Sequence, residues 1–288
     1  MKSSLPLVSI GMPVRNCQDT LILAMRSILS QTYEKWKLLL IDDGSTDDTL
    51  LVARSLADPR IKVYADGQTR GLANRLNEAL GLSCGKYFAR MDGDDVAYPH
   101  RIERQIHYLE THPEIDLVGA GVLVFIKGGC PFGKRTVPGE HEAICSRPIA
   151  GFPIVHPTYV GHLKWFRRYG YYGRDKKSQD QDLLLRSYRY SRFANLPEIL
   201  LGYREEKLSL RKILSTRCFF ARSLFREFQR QGRYDLAIRA NLEQGMKGLV
   251  DCFAVFSGLN YHILKHRARP ITAEEHQEWT RVWISLNQ

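Results

Sequence analysis

Three aspartates within four residues are the strongest chemical signal in this sequence. Asp92, Asp94 and Asp95 follow a short apolar segment, and carboxylates this close repel one another unless a cation or water relieves them. Their hard oxygen atoms suit Mg²⁺ or Mn²⁺, which is commonly held by one or two carboxylates together with substrate phosphates. A solvated acidic turn is the alternative. We favour a metal site, because the cluster follows a buried strand of a predicted parallel sheet.

A second acidic turn, Asp42-Asp43-Gly44-Ser45, ends another apolar segment. A carboxylate at this place could accept a hydrogen bond from an N–H group of a nucleotide base. Taken alone, the turn has a simpler explanation, since Asp and Ser favour turns and helix caps. Whether this turn is a base-binding site therefore depends on which residues the fold places next to it.

Four strands alternate with three helical patterns in the first third of the chain. The strands are predicted at 7–12 (ending at Pro13), 36–41, 61–64 and 87–91, and the helices at 20–31, 46–57 (with Ser45 or Thr46 as its cap) and 72–82. This order predicts an α/β fold with a doubly wound, mixed but mostly parallel sheet. Ligands of such sheets bind beyond the carboxyl ends of the strands. The polar segments expected there are 13–16, 42–43, 66–70 and 92–95.

The second half of the chain is less regular. Helices are predicted at 101–111 and 180–188, strands at 117–126 and up to about 204, and a Gly/Pro-rich loop at 127–138. From about residue 205 the composition changes to long, basic, amphipathic helices. We therefore divide the chain into an α/β domain that holds the candidate site, residues 1–205, and a basic, amphipathic helical C-terminal region, residues 206–288.

The composition is ordinary for a soluble globular protein, but the charge is not. The 288 residues carry a formal net charge of +11, which favours anionic partners such as nucleotides, nucleic acid or an anionic membrane surface. Six scattered cysteines without a C-x-x-C pair predict reduced thiols in a cytosolic protein rather than a zinc site. We expect neither a signal peptide nor a membrane span, since no segment reaches the ~18–20 clean apolar residues of a span.

Taken together, the motifs between residues 5 and 205 resemble those of a family 2 glycosyltransferase with the A-type nucleotide-sugar-binding fold (GT-A). They run in the family's order: the opening strand and nucleotide loop at 8–16, the first helix at 27–33, the base-binding turn at 40–47, the D-x-D metal motif at 90–95, acceptor-side motifs at 156–158 and 179–183, and closing segments at 196–200 and 203–204. Each piece is a weak signal, whereas the ordered set is specific.

The resemblance implies a nucleotide-sugar donor, most simply a UDP-sugar. Asp43 would bind the base, Asp92 would face the ribose or the donor sugar, and Asp94 would ligate Mn²⁺ or Mg²⁺. The remaining implied donor-side residues line the base pocket or the loop between base and diphosphate: Pro13, Arg15, Asn16, Asp66 and Arg70. Arg15 stands where the family often has an aromatic residue, and a guanidinium can also stack on a base.

On the acceptor side, the resemblance implies that Asp180 is the catalytic base of an inverting transfer. Gln179 stands where the family usually has Glu, which removes a charge beside that base. The implied acceptor is a saccharide hydroxyl, on a polyprenyl-diphosphate-linked intermediate of surface-polysaccharide synthesis. His156 could contact the acceptor or serve only in packing.

Other functions remain open at the level of sequence. A metal-dependent nucleotidyltransferase would typically need a glycine-rich loop after its first strand, and residues 13–16 contain no glycine. A non-catalytic carbohydrate- or nucleotide-binding protein is disfavoured by the presence of Asp94 and Asp180. The segment 128–135 nearly matches a P-loop but ends in Arg135, so a mobile loop over the site is favoured. No nucleic acid is expected as a partner, because no recognition motif appears.

The C-terminal region carries its charge on predicted amphipathic helices. Arg222, Arg226, Arg230 and Arg233 are expected on one helical face, with an apolar stripe at Leu214, Cys218, Ala221, Leu224, Phe225 and Phe228. A second apolar segment, 248–264, is interrupted by polar residues, and a basic cluster follows at 265–269. Such a helix lies on an anionic membrane or packs on the catalytic domain. We hypothesise a cytoplasmic protein held peripherally on the inner face of the membrane.

Overall fold

Nine strands form one mixed sheet in the computed structural model, which describes residues 5–172, 177–205, 210–257 and 268–288. Across the sheet the strands lie in the order 61–64, 36–42, 8–14, 87–90, 160–162, 117–125, 193–204 and 96–97, and strand 131–135 pairs with 117–125 outside this path. The strands of the first half are β1 (Val8–Val14), β2 (Trp36–Asp42), β3 (Ile61–Tyr64) and β4 (Tyr87–Arg90). All three pairings among them are parallel, which confirms the predicted doubly wound half of the sheet.

Helices α1 (Gln18–Leu29), α2 (Thr49–Ser55) and α3 (Leu72–Leu82) connect these strands. The predicted cap of α2 is wrong, because the helix begins three residues after Thr46 and neither proposed hydroxyl caps it. The Ser45 hydroxyl instead accepts a hydrogen bond from the Asn16 N–H group, at 3.0 Å. Ser45 therefore ties the loop after β1 to the loop after β2.

Pro13 does not end the first strand, contrary to the prediction. β1 continues to Val14, and Pro13 is in register with Ile41 of β2. The carbonyl groups of Gly11 and Val14 accept hydrogen bonds from opposite neighbouring strands, so position 13 faces the β4 side. Because β4 ends at Arg90, opposite Gly11, no ladder bond is needed from residue 13, and a proline is tolerated there.

The second half of the sheet is mixed. Its strands are β5 (Val96–Ala97), β6 (Leu117–Phe125), β7 (Pro131–Arg135), β8 (Val160–His162) and β9 (Phe193–Arg204). β8 is antiparallel to both β4 and β6, whereas β6 and β9 run parallel. The predicted loop at 127–138 contains β7, which pairs antiparallel with β6 after a short 3₁₀ turn, Lys127–Gly129. Pro131 is the first residue of this strand, a place where proline costs no ladder bond.

Two apolar cores flank the sheet. One packs α1 and α4 (Arg101–Thr111) against the sheet. The other contains residues of α3, α6 (Leu163–Tyr169) and α7 (Gln179–Ser187). The short helix α5 (His141–Ile144) and a 3₁₀ turn at His156–Thr158 complete the catalytic part of the chain.

In the described ranges after β9, the chain forms three helices: α8 (Leu210–Arg230), α9 (Tyr234–Phe256) and α10 (Ala273–Asn287). The first two form an antiparallel hairpin, since Arg217 of α8 pairs with Asp251 of α9 at 2.5 Å while the helices join at residues 231–233. Phe220, Leu224 and Phe228 are buried in the second core, so α8 packs on the catalytic part of the chain.

The prediction that four arginines share one face of a helix is wrong for Arg233. α8 ends at Arg230, and Arg233 lies at the start of α9, so the turn between the helices removes it from the α8 face. Of the predicted apolar segment 248–264, residues 258–264 lie outside the described residues, as do residues 265–267 of the basic cluster. Within the described ranges, none of the helices combines the length and apolar character that crossing a membrane requires.

Helix α10 returns to the sheet. Trp279 is buried beside Tyr98 and Phe125, and its indole N–H donates to the Gly129 carbonyl at 2.7 Å. A capping box between Thr272 and Glu275 fixes the start of the helix. The boundary at residue 205 stays a proposal: β9 ends one residue before it, and the described chain beyond it is largely helical.

Candidate active site

The aspartate cluster lies in the loop between β4 and β5. One carboxylate oxygen from each of Asp92, Asp94 and Asp95 falls within 4.8 Å of the other two. Asp95 is buried, and its Oδ1 atom accepts a hydrogen bond from the Arg204 N–H group at 2.8 Å. Its Oδ2 atom has no hydrogen-bond partner among the described residues. A buried, unpartnered carboxylate oxygen beside two further carboxylates fits a divalent cation.

The charges of the cluster act on one another. Asp94 still reaches solvent, but the protein atoms around it displace part of its hydration, and this loss and then the negative charge of Asp92 raise its pKa to about 6. Burial and the charges of Asp94 and Asp92 also raise the pKa of Asp95. Metal ligands must be deprotonated, so a cation that binds here has to compete with protons for these oxygens.

Arg90 is the positive charge at the centre of the site. It is the last residue of β4, it is buried, and its Nη2 atom pairs with the Asp92 carboxylate. Its Nε and Nη1 atoms have no hydrogen-bond partner within the described ranges. Its positive charge also opposes the rise in the pKa values of Asp94 and Asp180, so Arg90 acts electrostatically on both the cluster and the proposed base. The sequence pointed to Arg90 only as part of the 90–95 motif.

A cleft of about 670 Å³ opens beside the cluster, within the ordinary size of small-ligand sites. Five residues predicted from the sequence line it: Pro13, Arg15, Asn16, Asp92 and Asp94. Lys127, Arg204 and Trp283 also line it, and the sequence had assigned none of them to donor binding. With Arg15, two of these supply positive charge suited to a diphosphate. Trp283 comes from α10, and nothing in the sequence pattern indicated that this helix reaches the cleft.

Asp43 lies at the end of β2, and backbone groups hold it. Its Oδ1 atom accepts hydrogen bonds from the N–H groups of Arg70 and Gly71, at 2.6 and 3.0 Å, and from Arg75 Nε at 3.1 Å. Its Oδ2 atom accepts a hydrogen bond only from Gly71, at 3.0 Å, among the described residues. Because a carboxylate has about four acceptor sites, Oδ2 is the atom that can still accept a base N–H.

Arg75 brings three predicted residues together. Its side chain is 1% exposed and also pairs with Asp66 at 2.5 Å and with Glu78 at 2.8 Å. Asp66 in turn pairs with Arg70 at 2.7 Å. Asp43, Asp66 and Arg70 therefore form one connected wall after β2 and β3, and none of them is among the residues that line the cleft beside Asp94.

We expect the Arg75→Met substitution to destabilise the protein by about 3 kcal/mol or more, because it leaves the buried Asp43 carboxylate without its cation. Urea denaturation followed by circular dichroism measures the loss. Arg54→Met, at an exposed position on α2, is the matched control and should change the free energy of unfolding little. A loss below about 1 kcal/mol for Arg75→Met would show that the wall does not depend on this ion pair.

Asp180 lies in the first turn of α7 and is partly buried. Burial raises its pKa. Its carboxylate contacts the Gln181 amide at 3.4 Å, which is a long hydrogen bond. The preceding Gln179 is buried, and Ser178 before it adopts a left-handed backbone with φ of 60°. Asp180 is not among the residues that line the cleft beside Asp94, and the charge of Arg90 acts on both carboxylates.

His156 is held by protein groups. Its ring packs against those of Tyr159 and Tyr171, and Nε2 lies 3.1 Å from the Tyr171 hydroxyl. Burial, and then the Arg90 charge, lower its pKa well below the ordinary value, so the ring is neutral near pH 7. In this structure His156 therefore makes both its packing contacts and its polar contact with other residues of the protein.

The chain matches the family model described as "Glycosyl transferase family 2" over residues 9–174. It is 38% identical over 209 residues to "Putative glycosyltransferase EpsE" of Bacillus subtilis (strain 168), a match that covers 70% of this chain and 74% of that protein. It is also 39% identical over 105 residues to the Escherichia coli "UDP-Glc:alpha-D-GlcNAc-diphosphoundecaprenol beta-1,3-glucosyltransferase WfaP", covering 36% of this chain and 42% of that enzyme.

Among solved structures, S. aureus TarS 1–349 in complex with UDP-GlcNAc is similar with a TM-score of 0.63 at 16% identity. The similarity covers 97% of this chain and 80% of that one. It confirms the expected GT-A fold, with its mostly parallel sheet and additional helices. On the family match and the relative from Bacillus subtilis, the chain belongs to glycosyl transferase family 2 and is a glycosyltransferase.

Proposed function

We propose that this enzyme transfers a sugar from a UDP-sugar to a hydroxyl of a polyprenyl-diphosphate-linked saccharide, with inversion and with Mn²⁺ or Mg²⁺. One observation carries the proposal: one carboxylate oxygen from each of Asp92, Asp94 and Asp95 lies within 4.8 Å of the other two, beside a cleft of small-ligand size. A donor seated at the cluster would present its anomeric carbon toward the base.

The donor is assigned to the cleft beside Asp94. Arg15, Lys127 and Arg204 line this cleft together with four aspartates, and these three cations would contact the diphosphate of the donor. The TarS complexes named for UDP and UDP-GlcNAc support a uridine donor for a related fold. Asp43 Oδ2 would accept the N–H group of the base, and the planar guanidinium of Arg15 would stack on it.

Asp180 would accept the proton of the acceptor hydroxyl while that oxygen forms a bond to the anomeric carbon. The bond from the anomeric carbon to the diphosphate oxygen breaks in the same displacement, which inverts the centre. Asp94, with Asp92 and Asp95 beside it, would hold the cation, which when bound offsets negative charge on the leaving diphosphate. Arg90 would hold Asp92 in place and keep Asp180 in its charged form.

The acceptor class is supported by the name of the relative WfaP, which acts on a sugar linked to diphosphoundecaprenol. Such an acceptor resides in a membrane. We therefore propose that the enzyme works in surface-polysaccharide assembly at the cytoplasmic face of the membrane, bound peripherally through its basic C-terminal helices.

A donor screen tests the proposal. Purified enzyme is incubated with UDP-, GDP- and dTDP-sugars, Mn²⁺ or Mg²⁺, and a short-chain GlcNAc-diphosphate lipid as acceptor. Transfer from a UDP-sugar, with the opposite anomeric configuration by NMR, supports it. Retention at the anomeric centre would refute the single displacement. Release of pyrophosphate from a nucleoside triphosphate with a sugar phosphate would favour the nucleotidyltransferase, and nucleotide binding without turnover would favour a binding protein.

We expect the pH profile of kcat/KM to carry the signature of Asp180. The base must be unprotonated, and burial raises its pKa, so activity should fall on the acid side at a pH above the ordinary aspartate value of about 3.9. Because the Arg90 charge lowers this pKa, the acid limb should move to higher pH in Arg90→Met. Rates measured from pH 4.5 to 8 at saturating cation check this, with the exposed Arg54→Met as control. An unmoved limb would mean that another group titrates.

A further inference from the structure

Helix α9 presents a row of large apolar side chains to solvent. Seven residues, each between 58% and 72% exposed, follow one another at helical spacing: Tyr234, Ile238, Leu242, Met246, Leu249, Val250 and Phe253. We call this set the α9 stripe. The helix has 23 residues, so the stripe runs for about 30 Å along its axis. Exposed apolar patches of this extent mark interaction sites.

The packing face of α9 has the opposite character. It attaches to the rest of the protein mainly through small or polar residues, among them Ala237, Ala240 and Asp251, with Leu236 half-buried against the second core. Gln244 donates to the Ile149 carbonyl at 2.8 Å, and Arg217 of α8 pairs with Asp251. An ordinary surface helix turns its large apolar residues inward. α9 turns them outward, so they are not needed for packing within the chain.

The hairpin that carries the stripe is basic. Residues 210–257 contain nine Lys and Arg residues and four Asp and Glu residues. Arg239 is exposed on α9, and Arg211 and Arg222 are exposed on α8, where Arg222 lies one turn from the exposed Phe225. Positive charge beside a long apolar face is the combination that seats a helix in the boundary between anionic head groups and acyl chains.

We infer that the α9 stripe is the membrane-docking surface of this enzyme and that it inserts into an anionic lipid surface. A second copy of the chain is a poorer occupant, because two hairpins with the same sign of charge would repel one another across the contact. The sequence had pointed to the apolar stripe of α8, but Leu224 and Phe228 are spent in the second core. The surface is inferred from exposure and charge, while its purpose, to bring the site to a lipid-linked acceptor, rests on the proposed function.

Flotation of the full chain with vesicles tests the surface. We expect binding to vesicles of phosphatidylcholine with 30% phosphatidylglycerol at low salt, and weaker binding at high salt. A triple variant, Leu242→Gln with Met246→Gln and Leu249→Gln, should lower the bound fraction at least tenfold. Leu51→Gln, at an equally exposed apolar position on α2, is the matched control and should bind as the wild type does. Wild-type protein that never floats, or a triple variant that floats equally well, would overturn the inference.

Two further measurements separate the remaining outcomes. Vesicles with brominated acyl chains should quench the tryptophan fluorescence that Phe253→Trp adds, but not the fluorescence that Leu51→Trp adds. Equal quenching in both variants would mean that another surface contacts the lipid. Sedimentation without lipid tests self-association: a dimer that the triple variant converts to monomer would assign the stripe to a second copy and overturn the membrane inference. Transfer to a short soluble acceptor should survive in the triple variant. If the wild type floats but transfers no sugar, the proposed function is wrong and the docking surface is still supported.

Discussion

Replacing Asp94 by asparagine is expected to lower kcat/KM by about three orders of magnitude. The substitution keeps the shape of the side chain and removes one of the three carboxylates that meet within 4.8 Å. A divalent cation at such a site contributes several kcal/mol to stabilising the leaving group, and about 4 kcal/mol corresponds to a thousandfold change in rate. Steady-state transfer with the preferred donor measures the effect. Mn²⁺ binding, followed by electron paramagnetic resonance, should weaken in parallel.

Asp19→Asn is the matched control for that experiment. Asp19 is an exposed carboxylate that lines the same cleft but does not belong to the cluster. Its removal should change kcat/KM and Mn²⁺ binding by less than about threefold, a change below 1 kcal/mol. If Asp19→Asn and Asp94→Asn lose activity equally, only the overall negative charge of the cleft matters, and the assignment of Asp94 as ligand fails.

Asp180→Asn is expected to lower kcat by between about 10² and 10⁴, the ordinary contribution of a positioned general base. Binding of UDP should be unchanged, because Asp180 does not line the donor cleft. Turnover at saturating donor and acceptor and titration calorimetry with UDP check the two halves of the prediction. Weaker UDP binding together with a lower melting temperature would instead indicate a structural role for this residue.

Gln179→Glu probes the same site from the other direction. Gln179 is 6% exposed, so a carboxylate placed there would be largely shielded from solvent. A second negative charge beside Asp180 would raise the pKa of the base further, and the acid limb of activity should move to higher pH. This variant keeps the base itself, so kcat at high pH should change little. A large loss of kcat there would contradict the prediction that residue 179 affects only the charge beside Asp180.

The local pattern of the sequence was sufficient to predict the parallel half of the fold. β1 to β4 are apolar segments separated by amphipathic helices, and their connection rules leave few topologies. The loop residues that follow them were therefore placed at the correct edge. The mixed half was harder to predict, because β7 begins with a proline in a glycine-rich segment and forms through its pairing with β6, which is a tertiary effect.

The candidate site was predicted unevenly for a similar reason. Asp92 and Asp94 could be recognised from the sequence, because the repulsion among three carboxylates in four residues costs stability unless a ligand relieves it. Arg90 carries no such signal, since a single arginine at the end of a strand is ordinary until its burial and its unpartnered N–H groups are known. Trp283 lies far along the chain, and its place in the cleft depends on how α10 docks, which no local periodicity specifies.

The docking of α10 also sets the order in which this protein can be completed during synthesis. The catalytic sheet leaves the ribosome first, with Tyr98 and Phe125 still lacking the Trp279 ring that covers them. More than sixty residues must be made before that ring arrives, and the bond from Trp279 to Gly129 spans 150 positions. Until then the donor cleft lacks its Trp283 wall. In the nascent chain the apolar surface around Tyr98 and Phe125 therefore stays uncovered until α10 docks, and contacts of such long sequence separation form late in folding.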